Sequence, residues 1–201
     1  MPPTNPARRR ALADAAIELL ASSGVHGLTH RAVEKEADLP PGTASNYFRS
    51  REALLVAAAE RIVELHHADT DQAVGRPAAV ADQAVGRSAA FADLLTESLL
   101  TAATTLRNRY LAIFELQLEA SRRPVLASAL TSLRKASLRI TAGHHDELGL
   151  GIPREKIPAL IALYGGALFT LVTAPPGSVS RQTVQSVVQV IVQGCAAPEG
   201  S

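Results

Sequence analysis

The 201-residue sequence has one cysteine, one methionine, no tryptophan and few aromatic residues, namely three Tyr and four Phe. A single cysteine, Cys195, excludes an internal disulfide and a metal site built from several thiolates. One unpaired thiol is typical of a reducing compartment, so we expect a cytoplasmic protein.

An excess of charge of one sign is also lacking. The chain has 20 Lys and Arg against 19 Asp and Glu, which gives a formal net charge of +1. Residues 1–61 hold 8 basic and 7 acidic residues, and the remainder holds 12 of each. A nucleic-acid surface would therefore have to come from the placement of charges and not from their excess.

Targeting and membrane segments are not predicted. The basic start MPPTNPARRR is followed by a stretch that Asp14 and Glu18 interrupt, so it is not a signal peptide. Residues 157–174 are uncharged, but a spanning helix needs about 20 apolar residues. Pro175 and Pro176 end this run, and we expect a buried or subunit-facing helix there.

Signatures of catalysis and metal binding are missing too. The sequence has no Gly-rich phosphate loop, nucleophile elbow or convincing pair of carboxylates. The neighbours His66 and His67, like His144 and His145, point about 100° apart on a helix and cannot close on one metal ion. We expect no enzyme, no metal and no cofactor.

Helical periodicity is what the sequence does have. Residues 8–22 place leucines and alanines on one stripe, and Gly24 is expected to end that helix. Thr29 suits the N-cap of a second, short helix. Pro41 suits the first turn of a third helix, and Ser50 suits the cap of a fourth.

The stretch PPGTASNYF (40–48) then predicts the second half of a helix-turn-helix. The prolines set the turn, Phe48 anchors the helix in the core, and small polar residues remain exposed to enter a DNA major groove. The exposed set is Gly42, Thr43, Ser45, Asn46 and Tyr47. An ordinary αα-hairpin has the same pattern.

The remainder predicts five more helices, at about 88–104, 106–121, 125–148, 155–174 and 180–194. The segment DQAVGR occurs at 71–76 and again at 82–87, and its glycines with Pro77 favour a loop or broken helix that arose by local duplication. The last two helices are almost uncharged and predict a large partner surface, which a second copy would supply. One face of the final helix carries Val184, Val188, Ile191 and Cys195.

The segment 24–55, GVHGLTHRAVEKEADLPPGTASNYFRSREALL, resembles the DNA-binding domain of the TetR family of bacterial transcriptional repressors. The matching residues include Gly24, Leu28-Thr29, Gly42-Thr43, Tyr47-Phe48 and Leu54-Leu55. Residues 114–126 and 147–158 resemble the family's ligand-domain helices more weakly. The resemblance implies an all-α fold of about nine helices, with a helix-turn-helix domain at 1–52 and an effector-binding and dimerisation domain at 53–201.

The resemblance also implies roles for residues of the helix-turn-helix domain, which we call the head. Thr29, Tyr47 and Arg51 are expected to contact phosphates, and the residues expected to contact base edges or groove walls are His30, Arg31, Thr43, Ser45 and Asn46. Position 45 is Ser where the family usually has Tyr, and position 51 is Arg where Lys is usual. The run Arg8–Arg10 is either an arm along the DNA or a solvated helix start.

For the larger domain, the resemblance implies a small effector in the core and a homodimer through the last two helices. The few aromatics favour an apolar effector. The candidate pocket residues are Phe91, Tyr110, Phe114, Gln117, Thr141, His144, Tyr164 and Phe169, with Glu115 beside them.

The predicted function is a DNA-binding regulator, a repressor that an effector releases from a palindromic operator. The alternative is a helical small-molecule-binding or protein-interaction module that does not read DNA sequence. Ser45 and the near-neutral head favour that alternative.

Overall fold

The computed structural model describes residues 5–74, 84–131, 135 and 153–195, and the regular elements in these ranges are all helical. The all-α class is therefore confirmed. The α-helices are α1 (Pro6–Gly27), α2 (His30–Glu36), α3 (Thr43–Tyr47), α4 (Arg51–Val74), α5 (Ala84–Ala103), α6 (Arg107–Ala120), α7 (124–131), α8 (Ile157–Thr173) and α9 (Arg181–Cys195). A 3-10 turn, Arg154–Lys156, precedes α8.

Helix α1 starts earlier and ends later than its sequence pattern predicts. The Oδ1 atom of Asn5 accepts hydrogen bonds from the backbone N–H groups of Ala7 and Arg8, at 3.1 and 3.2 Å, so the helix begins at Pro6. Gly24 interrupts α1 with φ 65° and ψ −175°, a conformation that favours glycine. The break at Gly24 is confirmed, but another short helical piece follows it up to Gly27.

The predicted caps of α2 and α4 are confirmed. Thr29 Oγ1 accepts from the backbone N–H of Ala32, and Ser50 Oγ accepts from that of Ala53, each at 3.1 Å. The placement of Pro41 in the first turn of α3 is wrong. Gly42 lies in the left-handed region at φ 85° and is the N-cap, so α3 begins at Thr43, two residues after Pro41.

The described chain divides into two compact units. The first comprises Met1–Arg76 with Asn108–Arg134, so α6 and the described part of α7 belong with the head. Its core is aliphatic, with Leu12, Leu20, Val33, Leu54, Ile62 and Leu116 all buried. Phe48 is 3% exposed in this core, which confirms it as an anchor of α3.

The second unit comprises Pro77–Arg107 with Lys135–Ser201, and α5 packs there against α8 and α9. The stripe Val184, Val188 and Ile191 of α9 is buried within the single chain. A second copy is therefore not needed to cover that stripe. The large apolar side chains that stay exposed on α8 and α9 are Leu163, Phe169 and Val190.

The structure describes only part of the duplicated segment, because residues 75–83 lie outside the described ranges. Helix α4 reaches Val74 and α5 starts at Ala84, so Gly86 lies inside a helix and not in a break. Of the helix predicted at 125–148, the structure describes 124–131 and 135. None of the described helices has the length and apolarity that crossing a membrane requires.

Candidate nucleic-acid interface

The turn between α2 and α3 fixes how the third helix leaves the second. Asp38 and Gly42 have positive φ, 51° and 85°, and they bracket the prolines. The backbone N–H of Leu39 donates to the Glu34 carbonyl at 2.9 Å, and that of Thr43 donates to the Pro40 carbonyl at 3.2 Å. These two bonds close the turn at both ends.

One side of α3 is buried and the other is open. Ala44 and Phe48 are both buried. They are four residues apart, so their side chains lie on the same face of the helix. Ser45 and Asn46 are exposed, and Tyr47 is half-buried with its ring 6.4 Å from that of Phe48. The open side of α3 therefore carries the small polar residues for which base contacts are predicted.

Thr43 takes part in the turn. Its hydroxyl donates to the Pro40 carbonyl at 2.6 Å, so its proton is already used within the protein. Its oxygen can still accept one hydrogen bond, and its methyl group can still meet an apolar base edge. In a DNA groove, Thr43 can therefore accept a hydrogen bond or make an apolar contact, but it cannot donate its hydroxyl proton.

At the start of α2, two of the three predicted residues have partners within the head. Thr29 caps the helix with its hydroxyl oxygen. The Nε2–H of His30 donates to the Phe48 carbonyl at 2.7 Å, which leaves only Nδ1 for another partner. Arg31 is exposed, so it is the cation of this helix start that can reach outward.

Arg51 ties the start of α4 to the loop before α2. Its Nε donates to the Leu28 carbonyl at 3.1 Å, and its Nη2 donates to the Val25 carbonyl. Both acceptors are neutral, so these contacts leave the positive charge uncancelled. The residue is half-buried.

The Arg9 side chain contacts other residues of the first unit. Its guanidinium lies 5.5 Å from the centre of the Phe48 ring, and Nη2 lies 3.2 Å from Glu60 Oε2. The whole run Arg8–Arg10 is helical and exposed. The two interpretations of this run, arm or solvated helix start, both stay open.

Sequence reasoning did not predict the contacts of two carboxylates of this region, Glu34 and Glu115, of which Glu115 was placed beside the pocket candidates. Glu34 is 5% exposed, and its Oε1 accepts from the backbone N–H of Ala44 at 2.8 Å. Glu115, from α6, accepts from the backbone N–H of Val25 at 3.1 Å through Oε2. Glu34 stands next to the buried Val33 in a helix of 7 residues, where periodicity gave too weak a signal of its burial.

The pocket candidates on α6 belong to the first unit. Tyr110 stands edge-on to His66, with ring centres 5.7 Å apart and the hydroxyl oxygen 3.4 Å from Nε2. Phe114 is half-buried and Gln117 is exposed. Glu115 is the residue that meets Val25.

The remaining described candidates belong to the second unit. Phe91 is 2% exposed in its core, whereas Phe169 is 49% exposed. The Tyr164 hydroxyl lies 2.7 Å from Ser98 Oγ, and burial raises the pKa of Tyr164 while that hydrogen bond lowers it. Thr141 and His144 lie outside the described residues. The pocket assignment therefore stays a prediction.

Comparison with known proteins gives two family matches. The family described as bacterial regulatory proteins, tetR family, matches residues 12–58. The family described as tetracyclin repressor-like, C-terminal domain, matches residues 86–194, which is more than half of the chain. The two matches together take in the helix-turn-helix and the helices that follow α4.

A curated relative is similar over the head alone. An uncharacterised HTH-type transcriptional regulator in the dhlA 5′ region of Xanthobacter autotrophicus is 42% identical over 55 residues. That stretch is 27% of this chain and 27% of the relative, so the match spans about a quarter of the relative's length.

Solved structures are similar over nearly the whole chain. The multidrug binding protein EbrR, complexed with ethidium, is 26% identical with a TM-score of 0.63, over 92% of this chain and 98% of that one. A proposed transcriptional regulator from Saccharomonospora viridis, in complex with choline, is 19% identical with a TM-score of 0.73, over 94% and 97%. A proposed TetR-family regulator from Rhodococcus sp. is 23% identical with a TM-score of 0.66, over 94% and 98%.

The Saccharomonospora viridis and Rhodococcus proteins are less than 25% identical to this chain, so their similarity shows the fold alone. Family membership is shown by the two family matches, at residues 12–58 and 86–194. Proteins of this family bind DNA, regulate transcription and act as dimers. The chain with the helix-turn-helix described above belongs to the TetR family of bacterial transcriptional regulators.

Proposed function

We propose that this protein is a sequence-specific repressor that binds a palindromic operator as a homodimer and leaves it when a small molecule binds. The observation that carries the proposal is the two-sided helix α3, which buries Ala44 and Phe48 and exposes Ser45 and Asn46. A helix held in this way can present polar side chains to base edges in a major groove.

The phosphate and base contacts divide along the same surface. Arg31 at the start of α2 and Asn46 on α3 are exposed and chemically suited to bidentate contacts with guanine and adenine. Thr29, Tyr47 and Arg51 are the proposed phosphate contacts, and Arg51 carries a charge that its two carbonyl partners do not cancel. Ser45, His30 and Thr43 complete the proposed groove surface.

The dimer is proposed to form through α8 and α9. Leu163 and Phe169 on α8 are about half exposed, and Val190 on α9 is 70% exposed, all on helices that carry almost no charge. Exposed apolar side chains on such helices favour burial against another surface. Two copies related by a two-fold axis would present two reading helices, spaced by about one DNA turn or a multiple, ~34 Å.

The effector is proposed to be a small, largely apolar molecule. EbrR, a multidrug binding protein, is complexed with ethidium in one structure, and the Saccharomonospora viridis protein holds choline in another. Both compounds are organic cations with apolar surface, so they are suitable first probes for this chain. An effector that binds the DNA-incompetent state more tightly lowers operator affinity by the ratio of its two affinities.

The functional division is proposed at residue 52, with residues 1–52 for DNA and 53–201 for effector and dimer. This division concerns function and is separate from the compact units, in which α6 packs with the head. A regulator acting on the chromosome would work in the cytoplasm.

Nuclease protection tests the proposal directly. The protein would be titrated on the DNA that flanks its own gene, at moderate salt, with an unrelated fragment of equal length as the control. Protection of a near-palindrome supports the repressor function and yields the operator. Protection of neither fragment at any protein concentration contradicts it for this locus and favours the alternative module.

Salt dependence separates a DNA reader from that alternative. Each phosphate contact neutralised on binding lowers the slope of log affinity against log salt by about 0.9 for duplex DNA. A steep negative slope on the operator supports the repressor. Absence of DNA binding, together with stabilisation by a small molecule, supports the interaction module.

Effector binding is best measured without DNA, because ethidium itself intercalates. Thermal unfolding followed by circular dichroism at 222 nm would report a bound compound as a rise in Tm. Choline would then be added to the operator complex, where a fall in occupancy with increasing choline indicates release. Unchanged Tm with both compounds rejects them as effectors.

A further inference from the structure

Glu34 holds the turn of the helix-turn-helix at both of its ends. Its backbone carbonyl accepts from the N–H of Leu39 at 2.9 Å, where the turn begins. Its carboxylate accepts from the N–H of Ala44 at 2.8 Å, inside the first turn of α3. One residue of α2 therefore fixes where the chain leaves α2 and where it enters α3.

Helix α3 depends on such a contact because it lacks a cap of its own. Its N-cap is Gly42, which has no side chain, and no side-chain cap bond is made there. The helix has only 5 residues, so most of its N–H groups are first-turn donors without an intrahelical acceptor. A buried donor left unpaired would cost free energy, and the Glu34 carboxylate removes that cost at Ala44.

The geometry is specific because the carboxylate is buried. Glu34 is 5% exposed and Ala44 is fully buried, so water does not readily replace the bond. A charge-assisted hydrogen bond of this kind is shorter and stronger than a neutral one. The next two residues along the chain are Ser45 and Asn46, the exposed residues of the reading side.

We propose that Glu34 is a positioning residue for DNA reading: its carboxylate caps α3 from the neighbouring helix and sets the orientation of Ser45 and Asn46 toward the bases. The inference rests on the proposed repressor function. It also implies that the Ala44 N–H is taken by the protein and does not bind a DNA phosphate, so specificity at this end of α3 comes from side chains.

Three substitutions separate the hydrogen bond from the charge. Glu34→Gln keeps an acceptor oxygen at the same reach and removes the charge. Glu34→Asp keeps the charge and shortens the side chain by one methylene, and Glu34→Ala removes both acceptor and charge. The matched control is Glu36→Gln, which removes an exposed carboxylate from the same helix.

The measured quantity is the ratio of the affinities for the operator and for random DNA at one salt concentration. We expect Glu34→Ala and Glu34→Asp to lower this ratio by about tenfold, the size of a lost helix cap. Glu34→Gln and Glu36→Gln should leave the ratio within about threefold of wild type. Hydrogen exchange of the Ala44 amide, read by NMR in the free protein, should be faster in the Ala and Asp variants.

A merely structural role predicts a different result. It would lower both affinities together and leave their ratio unchanged in all variants, and that outcome overturns the inference. An equal fall of the ratio in Glu36→Gln overturns it as well. If Glu34→Ala does not fold, the order of Gln above Asp decides the question by the same ratio.

Failure of the proposed function would look different again. A wild-type protein with no preference for any DNA overturns the repressor function and the role of Glu34 in reading together. A wild type that discriminates its operator, with Asp and Gln variants that discriminate equally well, overturns the inference about Glu34 alone.

Discussion

The backbone N–H of Val25 donates a hydrogen bond to Glu115 Oε2 at 3.1 Å, although the two residues are 90 positions apart in the chain. Val25 starts the short helical piece that follows the break at Gly24, and Glu115 lies in the middle of α6. A second polar contact joins the same helices, from Asn108 Nδ2 to Glu18 Oε2 at 2.7 Å. Helix α6 is thus bonded to the head, which agrees with its place in the same compact unit.

Removal of the Glu115 acceptor should destabilise this unit. We expect Glu115→Ala to lower the free energy of unfolding by about 1 to 2 kcal/mol, because it leaves the Val25 donor without its cap. Glu115→Gln retains an oxygen at the same place and should lose less. Urea unfolding measures both, with the exposed neighbour Gln117→Ala as the control. Equal losses in Glu115→Ala and Gln117→Ala would contradict the capping role.

Gly24 should resist any side chain. Its φ of 65° with ψ of −175° is accessible almost only to glycine, and a Cβ built there would lie 3.3 Å from Glu115 Oε2. We expect Gly24→Ala to cost about 1 to 3 kcal/mol of stability from backbone strain. Gly194→Ala is the matched control, since a Cβ there meets nothing within 4 Å and the residue lies in α9. A loss in Gly24→Ala no larger than in Gly194→Ala would mean that the break is not strained for other residues.

The exposed residues of the head should divide into two classes on DNA. Arg31→Ala or Asn46→Ala should weaken the operator by about 1 to 3 kcal/mol and random DNA much less, since base contacts carry the sequence information. Arg51→Ala should weaken both DNAs, because a phosphate contact is independent of sequence. Competition titrations with operator and random duplexes measure the difference. If Arg31→Ala and Asn46→Ala leave operator affinity unchanged, these residues do not form the reading face.

Arg51 needs its own control, because its guanidinium also holds the Leu28 and Val25 carbonyls. Arg51→Lys keeps the charge but loses the planar fork that serves two acceptors. If Arg51→Lys binds DNA as wild type does while unfolding more easily, charge and scaffolding are separate roles. Loss of DNA binding in Arg51→Lys would instead show that the bonded geometry matters for the contact.

The sequence predicted the head well because its signals there are local. Thr29 and Ser50 are capping residues at the starts of helices, and their hydrogen bonds span three positions. The burial of Phe48 and exposure of Asn46 follow from helical spacing in the same short stretch. The error at Pro41 is local as well. The positive φ of Gly42 places the start of α3 at Thr43, and the preference of proline for the first turn of a helix does not reveal this.

Contacts between residues far apart in the chain could not be predicted from the sequence pattern. Nothing near Glu34 indicates that its carboxylate meets Ala44, and nothing near Glu115 indicates Val25. For α8 and α9, the sequence predicted a partner surface supplied by a second copy, but it did not indicate that α5 of the same chain packs against both helices. The structure buries Val188 within the chain and leaves Val190 exposed, a distinction that depends on where α5 packs.

Val190 offers a test of the proposed dimer. It is 70% exposed on a helix that carries almost no charge, so Val190→Glu should leave the folded chain intact but place a charge in the interface. We expect the dimer dissociation constant to rise by tenfold or more, on the order of a hot-spot residue. Gln185→Glu adds the same charge at an exposed position on another side of α9 and is the control. Sedimentation analysis that finds equal association in both variants would place the interface elsewhere.

The stability of the first unit should depend on pH through His66. Burial lowers the pKa of His66 from its usual value of 6.5, and the nearby charges of Arg109 and His67 lower it further, while Asp69 acts in the opposite direction. Tyr110 lies against the ring, and Arg109 forms an ion pair with Asp69. The folded state therefore favours the neutral imidazole over the protonated one.

The sign of the effect follows from that shift. Because the unfolded chain binds a proton more readily at this residue, His66 contributes its full stabilisation above about pH 6.5, and the contribution falls as the pH drops below that value toward the folded pKa. Unfolding in urea at pH 8, 7, 6 and 5 should show this fall in wild type and a smaller one in His66→Gln. The exposed neighbour His67→Gln should keep the wild-type profile. If wild type and His66→Gln lose stability in parallel as the pH drops, other groups carry the pH dependence and the half-buried imidazole does not.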